Sequence, residues 1–281
     1  MKINVLGVRG STPAPGHDFA RYGGNTSCIA LSRDGEPPSL VLDAGTGLRR
    51  LGALTDLGEA PFRGALLLGH LHWDHTQGLP FSTSVDHDDS RVRLCLPDQE
   101  SGDAAVDVLR RAMSPPHFPI GPEGLRGHWT FEGLQPGLHR LGGFEVLAME
   151  IPHKGGRTFG YRVTDGSAHV AYLSDHGPSA LGPGPDGWGP YHDAAMELAR
   201  NVDVLIHDAQ HTAAELPSRA SFGHSAADYA VRLGELAGAG SVLLFHHDPN
   251  RTDAEIDAMV DSFATSPVPV LAAAEGTVLI R

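Results

Sequence analysis

Six consecutive residues, His70-Leu71-His72-Trp73-Asp74-His75, constrain the fold more than any other stretch, because four of them are metal donors. They follow the apolar run Ala65-Leu66-Leu67-Leu68, which reads as a buried strand. His70 therefore falls where a strand gives way to a loop, the place where scaffolds put reactive groups. Strand alternation points His70 and His72 the same way, while Asp74 and His75, entering a helix, splay apart. A His pair and an Asp-His pair on one tight turn suit two ions held side by side, about 3.5–4 Å apart, as in hydrolytic displacement. With 17 His in 281 residues a lone His-x-His would carry little weight, but four donors in six residues after a strand are a different signal.

This cluster resembles the motif of the metallo-β-lactamase-fold hydrolases. The resemblance implies an α/β architecture over residues 1–281 as a single domain: an αββα four-layer sandwich of two mixed β-sheets flanked by helices, with the ions at one edge. It also demands further donors downstream. His153, Asp175 and His246 each follow an apolar strand, in the order in which the family supplies its third His, its bridging Asp and its last His. Carried over residue by residue, His70, His72 and His153 would hold one ion. Asp74, His75 and His246 would hold the other, with Asp175 between them. His247 is equally able to coordinate; His246 is preferred because it directly follows the strand. His128, His139 and His169 lie away from strand ends and read as structural or exposed, while His176, beside Asp175, could either brace the site or face solvent. Nitrogen and carboxylate donors without thiolate favour two Zn²⁺, with Mn²⁺ or Fe as substitutes.

Two further stretches narrow the chemistry. Neither cysteine lies between His153 and His246, where lactam-cleaving members of the fold commonly place one, and His72 stands where flavodiiron oxidoreductases have Glu. Val204-Leu205-Ile206-His207-Asp208-Ala209 and Phe222-Gly223-His224-Ser225-Ala226-Ala227 resemble the acidic and Gly-His-Ser/Thr motifs of ribonuclease Z and PhnP-like phosphodiesterases. The resemblance implies that His224, oriented by Asp208, contacts the scissile phosphate and protonates the leaving oxygen. An anionic partner keeps an imidazole protonated and fixes its tautomer, which suits a general acid. Gly223-His224-Ser225 would also serve simply as a helix cap. The opening motif, Val8 to Pro13 with Arg21 to Ser27, looks closest to bacterial hydrolases near PhnP and the cyclic-nucleotide phosphodiesterases.

The expectation is thus a dinuclear phosphodiesterase acting on a small or cyclic phosphodiester, such as a cyclic nucleotide. A hydroxide between the ions would attack phosphorus, and Asp74 would orient or deprotonate the attacking water. Alternatives are hydrolysis of a carbon ester, lactone or thioester, RNA processing of the ribonuclease Z type, and a metal-dependent binding or sensor protein without turnover. The formal net charge of −13 and the missing long basic arm argue against an extended nucleic-acid partner, although an ion pair can attract phosphate locally. Relatives often dimerise, so the resemblance leaves both a monomer and a homodimer open.

Cys28 and Cys95 sit in apolar runs and read as buried thiols in strands, and no window approaches the ~18 apolar residues of a membrane span. The amino terminus enters a strand-like run with no export signal, so a cytoplasmic location is expected. Asp43 to Leu51 reads as a tight turn beneath the metal site, Ala104 to Met113 and Ser225 to Leu236 as helices, and 158–164 with 169–173 as a hairpin around Asp165-Gly166. The Pro-rich Ser114 to Ile120 is either a pocket wall or a surface loop, and Gly177 to Pro190 is a candidate lid. Val268 to Ala272 and Thr277 to Ile280 read as the closing strand.

Overall fold

Strands such as Val204–Asp208 and Val242–Phe245 are buried along their whole length. Such a strand needs cover on both faces. The computed structural model, which describes residues 1–99 and 101–281, supplies that cover with four layers. The first sheet has seven strands in the order β14-β1-β2-β3-β4-β5-β6, and the second has seven in the order β13-β12-β11-β10-β9-β8-β7. In chain order the first sheet takes β1 (Lys2–Gly7), β2 (Cys28–Ser32), β3 (Leu40–Leu42), β4 (Arg63–Leu67), β5 (Arg91–Pro97) and β6 (His128–Leu134). The second takes β7 (Gly137–Leu141), β8 (Phe144–Glu150), β9 (Phe159–Thr164), β10 (His169–Leu173), β11 (Val204–Asp208), β12 (Val242–Phe245) and β13 (Val270–Ala272), and β14 (Val278–Ile280) returns to the first.

Side-chain alternation sorts the core into three layers. Val204, Ile206, Leu243 and Phe245 of the second sheet meet Ile3, Ile29, Leu40 and Leu67 of the first in the central layer. Their neighbours Leu205, Val242 and Leu244 turn outward, onto α3 (Asp193–Ala199), α5 (Ala227–Ala237) and α6 (Asp253–Asp261). On the opposite outer face Val41, Leu66 and Leu94 pack under α1 (Leu51–Leu54) and α2 (Ala105–Arg110). A short α4 (Leu216–Arg219) lies beyond β11. Cys28 and Cys95 are buried free thiols in β2 and β5. Among the described residues no helix is long and apolar enough to cross a membrane.

Strand direction places the site. β3, β4 and β5 run parallel, as do β10, β11 and β12. β8 and β10 both run antiparallel to β9 and hence parallel to each other. Their carboxyl ends share one edge of the sandwich, and the expected donors lie just past them.

Some expectations needed correction. The helix expected to reach Met113 ends at Arg110 and dissolves into turns, because Pro115 and Pro116 supply no N–H to continue it. The run 268–280 is two strands on different sheets, since Gly276 takes φ +83° and reverses the chain between them. β6 and β7, adjacent in sequence, likewise belong to opposite sheets. Of the segment 177–190, Ser179 and Ala180 border a small cavity beside His153 and Lys154, and the remainder lies away from the metal pocket. It packs on the outer helices, where Trp188 joins their apolar cluster and Tyr229 Oη donates to the Pro190 carbonyl at 3.0 Å.

Candidate metal centre

After β4 the backbone turns through a short 3₁₀ segment, Trp73–His75, which separates the donors as the alternation predicts. His70, His72 and His153 converge in one cluster, and Asp74, His75, Asp175 and His246 in a second. His72 Nδ1 lies 3.3 Å from His153 Nε2. Asp175 stands between the groups: its Oδ1 is 3.8 Å from His70 Nε2, 3.7 Å from His153 Nε2 and 3.3 Å from His246 Nε2, while its Oδ2 is 3.0 Å from His75 Nε2. Asp74 Oδ2 is 3.1 Å from His75 Nε2 and 3.2 Å from His246 Nε2. Donors about 2.1 Å from a common tetrahedral centre lie roughly 3.4 Å apart, so these spacings fit ion coordination. The buried Nε2 atoms of His70 and His75 have no hydrogen-bond partner, an expense that an ion would relieve. The residues present therefore fit two divalent cations.

The two clusters differ electrically. Burial pushes the imidazoles of His70, His72 and His153 below the ordinary histidine value, so all three are neutral, the state that ligates. Burial also opposes charge on His75 and His246, but there the carboxylates win. Asp175, Asp74 and Asp43 raise His75 well above its usual value, and Asp175 with Asp74 pushes His246 up to about 9. Conversely, burial raises the two carboxyls, yet the surrounding imidazoles hold Asp74 and Asp175 below the usual carboxylate range.

The adjacent histidines after β12 separate cleanly. His246 takes φ +57° and turns its ring into the site against Gly10, whereas the buried His247 ring donates from Nε2 to the Ala273 carbonyl at 3.0 Å. Beside the ions' position, His224 Nδ1 donates to Asp208 Oδ2 at 2.8 Å, leaving Nε2 as its exchangeable nitrogen. His224 also clusters with His153 and Asp175. The site opens to a pocket of about 460 Å³ bordered by Ser11, Trp73, Lys154, Gln210, Phe222 and His224. His176 does not reach the cluster: its ring is spent between His207 Nε2 at 2.9 Å and His192 Nε2 at 2.8 Å. His128 is exposed, His139 and His169 are half-buried, and none belongs to a donor cluster.

Two contributors escaped sequence reasoning as individual residues. Asp43, fully buried at the end of β3, accepts from His75 Nδ1 at 2.7 Å, from the Gly69 N–H at 2.7 Å and from Tyr172 Oη at 2.6 Å. A carboxylate behind a ligating His fixes its tautomer and orientation. The tight turn was legible, and an Asp between an apolar strand and a glycine was the available signal. Ser11, at φ +63°, donates its N–H to Asp74 Oδ2 at 2.7 Å, and Gln210 Nε2 donates to its hydroxyl at 3.1 Å. Nothing in its loop sequence pointed to that contact.

A family model described as a β-lactamase superfamily domain matches residues 39–247. A ribonuclease Z of Synechococcus sp. (strain WH7803) is 25% identical over 313 aligned positions, which cover 97% of this chain and 94% of that protein. A ribonuclease Z of Thermoplasma acidophilum is 39% identical over 64 residues, covering 23% of this chain and only 21% of that protein. Among solved structures, the metallo-β-lactamase fold protein YhfI from Bacillus subtilis superposes with a TM-score of 0.71 at 21% identity, covering 99% of this chain and 98% of that one. A diphosphatase from the PhnP family gives 0.67 at 19% identity, covering 100% and 97%.

Proposed function

The chain belongs to the β-lactamase superfamily and has the metallo-β-lactamase fold, and from that premise we propose that it is a dinuclear metal-dependent phosphodiesterase of small or cyclic phosphodiesters. His70, His72 and His153 would hold one ion and Asp74, His75 and His246 the other, with Asp175 shared and zinc favoured by the donor set. Such ions supply an activated water and neutralise charge on phosphoryl oxygens. The chain's own residues do the rest.

The observation that carries the phosphodiester reading is the His224–Asp208 pair at 2.8 Å beside the donor cluster. With Nδ1–H committed to Asp208, His224 can release a proton only from Nε2, and a departing alkoxide needs that proton. Asp74 is better suited to orienting water than to deprotonating it. The field that keeps it ionised makes it a weak proton acceptor, and the Ser11 N–H occupies its Oδ2. Lys154 borders the pocket with its Nζ donating to the Ser221 carbonyl at 3.1 Å, a cation at the rim within the long-range pull of a phosphate.

RNA processing is the second reading, favoured by alignment with the Synechococcus ribonuclease Z across 97% of the chain and opposed by the net charge of −13. Metal-loaded protein assayed on bis-p-nitrophenyl phosphate, cyclic nucleotides, a lactone panel and a precursor tRNA separates these readings. Diester cleavage without lactone turnover is expected. His224→Ala should lower turnover of alkyl-leaving diesters by about 10²–10⁴-fold, with a much smaller effect on nitrophenyl esters, whose leaving group needs no proton. Metal content should be unchanged; loss of metal in step with activity would overturn the role given to His224.

A further inference from the structure

A second and larger cavity, of about 840 Å³, adjoins the metal pocket and shares Leu71 and Trp73 with it. These two residues interleave with the donors His70, His72 and Asp74, so the motif that builds the metal centre also builds the boundary that the two cavities share. The remaining wall is mainly apolar: Leu79, Phe81, Val108, Leu109, Met113 and Phe118. Phe81 and Phe118 meet edge to face with ring centroids 5.9 Å apart. Trp73 is 71% exposed and Phe81 56%, a cost in water that a bound apolar group would remove.

The long polar side chains that border this cavity, Arg49, Gln77 and Arg111, are exposed, and Arg111 is paired with Asp103, so polar capacity is concentrated at the solvent side. Thr46 Oγ1 is taken by the Thr26 N–H at 2.9 Å, and Thr76 Oγ1 donates to the His72 carbonyl at 3.3 Å. A nucleobase or sugar seated among Leu79, Val108, Leu109 and Met113, away from those exposed side chains, would find few partners for its polar edges, and buried polar groups without partners are disfavoured. The volume is also that of a sizeable organic ligand, larger than one base requires.

We propose that this cavity is a substrate subsite for a bulky apolar substituent, aryl or alkyl, of a phosphodiester whose phosphate sits at the metal centre. The proposal rests on the phosphodiesterase reading and names the class of diester. Each buried methylene contributes about 0.8 kcal/mol, roughly fourfold in binding, so a chain of several carbons should gain tenfold or more.

Two measurements on the metal-loaded protein test it. In the first, kcat/KM for octyl p-nitrophenyl phosphate is compared with that for methyl p-nitrophenyl phosphate and with cleavage of a ribodinucleotide. In the second, fluorescence of bound N-phenyl-naphthylamine is titrated with dibutyl and with dimethyl phosphate, which needs no turnover. The octyl ester should be preferred by tenfold or more, and dibutyl phosphate should displace the dye where dimethyl phosphate does not. Val108→Trp, filling the cavity, and the exposed Phe81→Ala, opening it, should each shrink the octyl-to-methyl ratio; the second keeps the test valid if the first misfolds. If both esters turn over equally and no dye binds, the subsite falls while the phosphodiesterase reading survives. If no diester is cleaved but dibutyl phosphate still displaces the dye, that reading falls and the apolar site stands. Preference for the dinucleotide would make the cavity a base site and overturn the proposal. So would dye exclusion by self-association that Phe81→Ala abolishes.

Discussion

Gly10 shows how little space a single donor leaves. A Cβ there would lie 2.4 Å from His246 Nδ1, so the ring packs directly on the backbone. Gly10→Ala should swing His246 away and cut bound metal from two ions per chain to about one, read by elemental analysis. Its neighbour behaves differently: His247→Ala should keep both ions and lose about 1–3 kcal/mol of stability, because it leaves the buried Ala273 carbonyl without a partner. Loss of metal in the His247 variant would reverse the assignment. The charge states of single residues also set a pH dependence. His246 rises from 6.5 to about 9 in the metal-free fold, so its ion pairs stabilise that fold fully below pH 6.5 and are lost as pH rises through about 9. A cation must displace those protons. Affinity for the ion at Asp74, His75 and His246 should therefore increase with pH across this window, by up to about tenfold per unit for each proton released. Chelator competition between pH 6 and 9 (roughly that window) measures it, and a flat profile would refute the displacement.

Between elements, Asp43 ties together three strand ends at the metal edge: its own on β3, Gly69 and His75 beyond β4, and Tyr172 on β10. The anion orients a ligand ring and bonds the two sheets where the ions would sit. Asp43→Asn keeps the shape but removes the charge that receives His75 Nδ1–H. A roughly 10–100-fold loss of metal affinity is expected, with Tyr172→Phe closer to wild type. Equal affinities in Asp43→Asn and wild type would mean that the brace acts only in folding. Element by element, the alternating and wholly apolar runs made most strands legible, since their period reflects how each is covered. Sheet membership was not legible. β6 and β7 are consecutive in the chain yet lie in opposite layers, and 268–280 read as one strand yet splits between them. Burial pattern reports that a strand is covered, not by which sheet.

Across the whole molecule, the two sheets carry donors from four separate stretches to one edge, and bound cations should stabilise this convergence by mass action. At a hundred times Kd each cation contributes about 2.7 kcal/mol, so removing both by chelation should lower Tm by roughly 10–20 °C. An unchanged melt after verified metal removal would mean that the folded state has no preference for the ions. The sequence alone brought together the candidate donors of the first cluster: His70 to His75 is local, and their spacing along a strand and turn follows from backbone geometry. The family resemblance then pointed to His153, Asp175 and His246 among the later strand ends as the remaining candidate donors. Only the tertiary structure decided that His246 rather than His247 enters the site, that Asp43 and Ser11 stand behind its ligands, and that a large apolar cavity opens beside it. These depend on which way a ring turns at a left-handed residue and on which surfaces meet across hundreds of residues, properties of packing that no local pattern encodes.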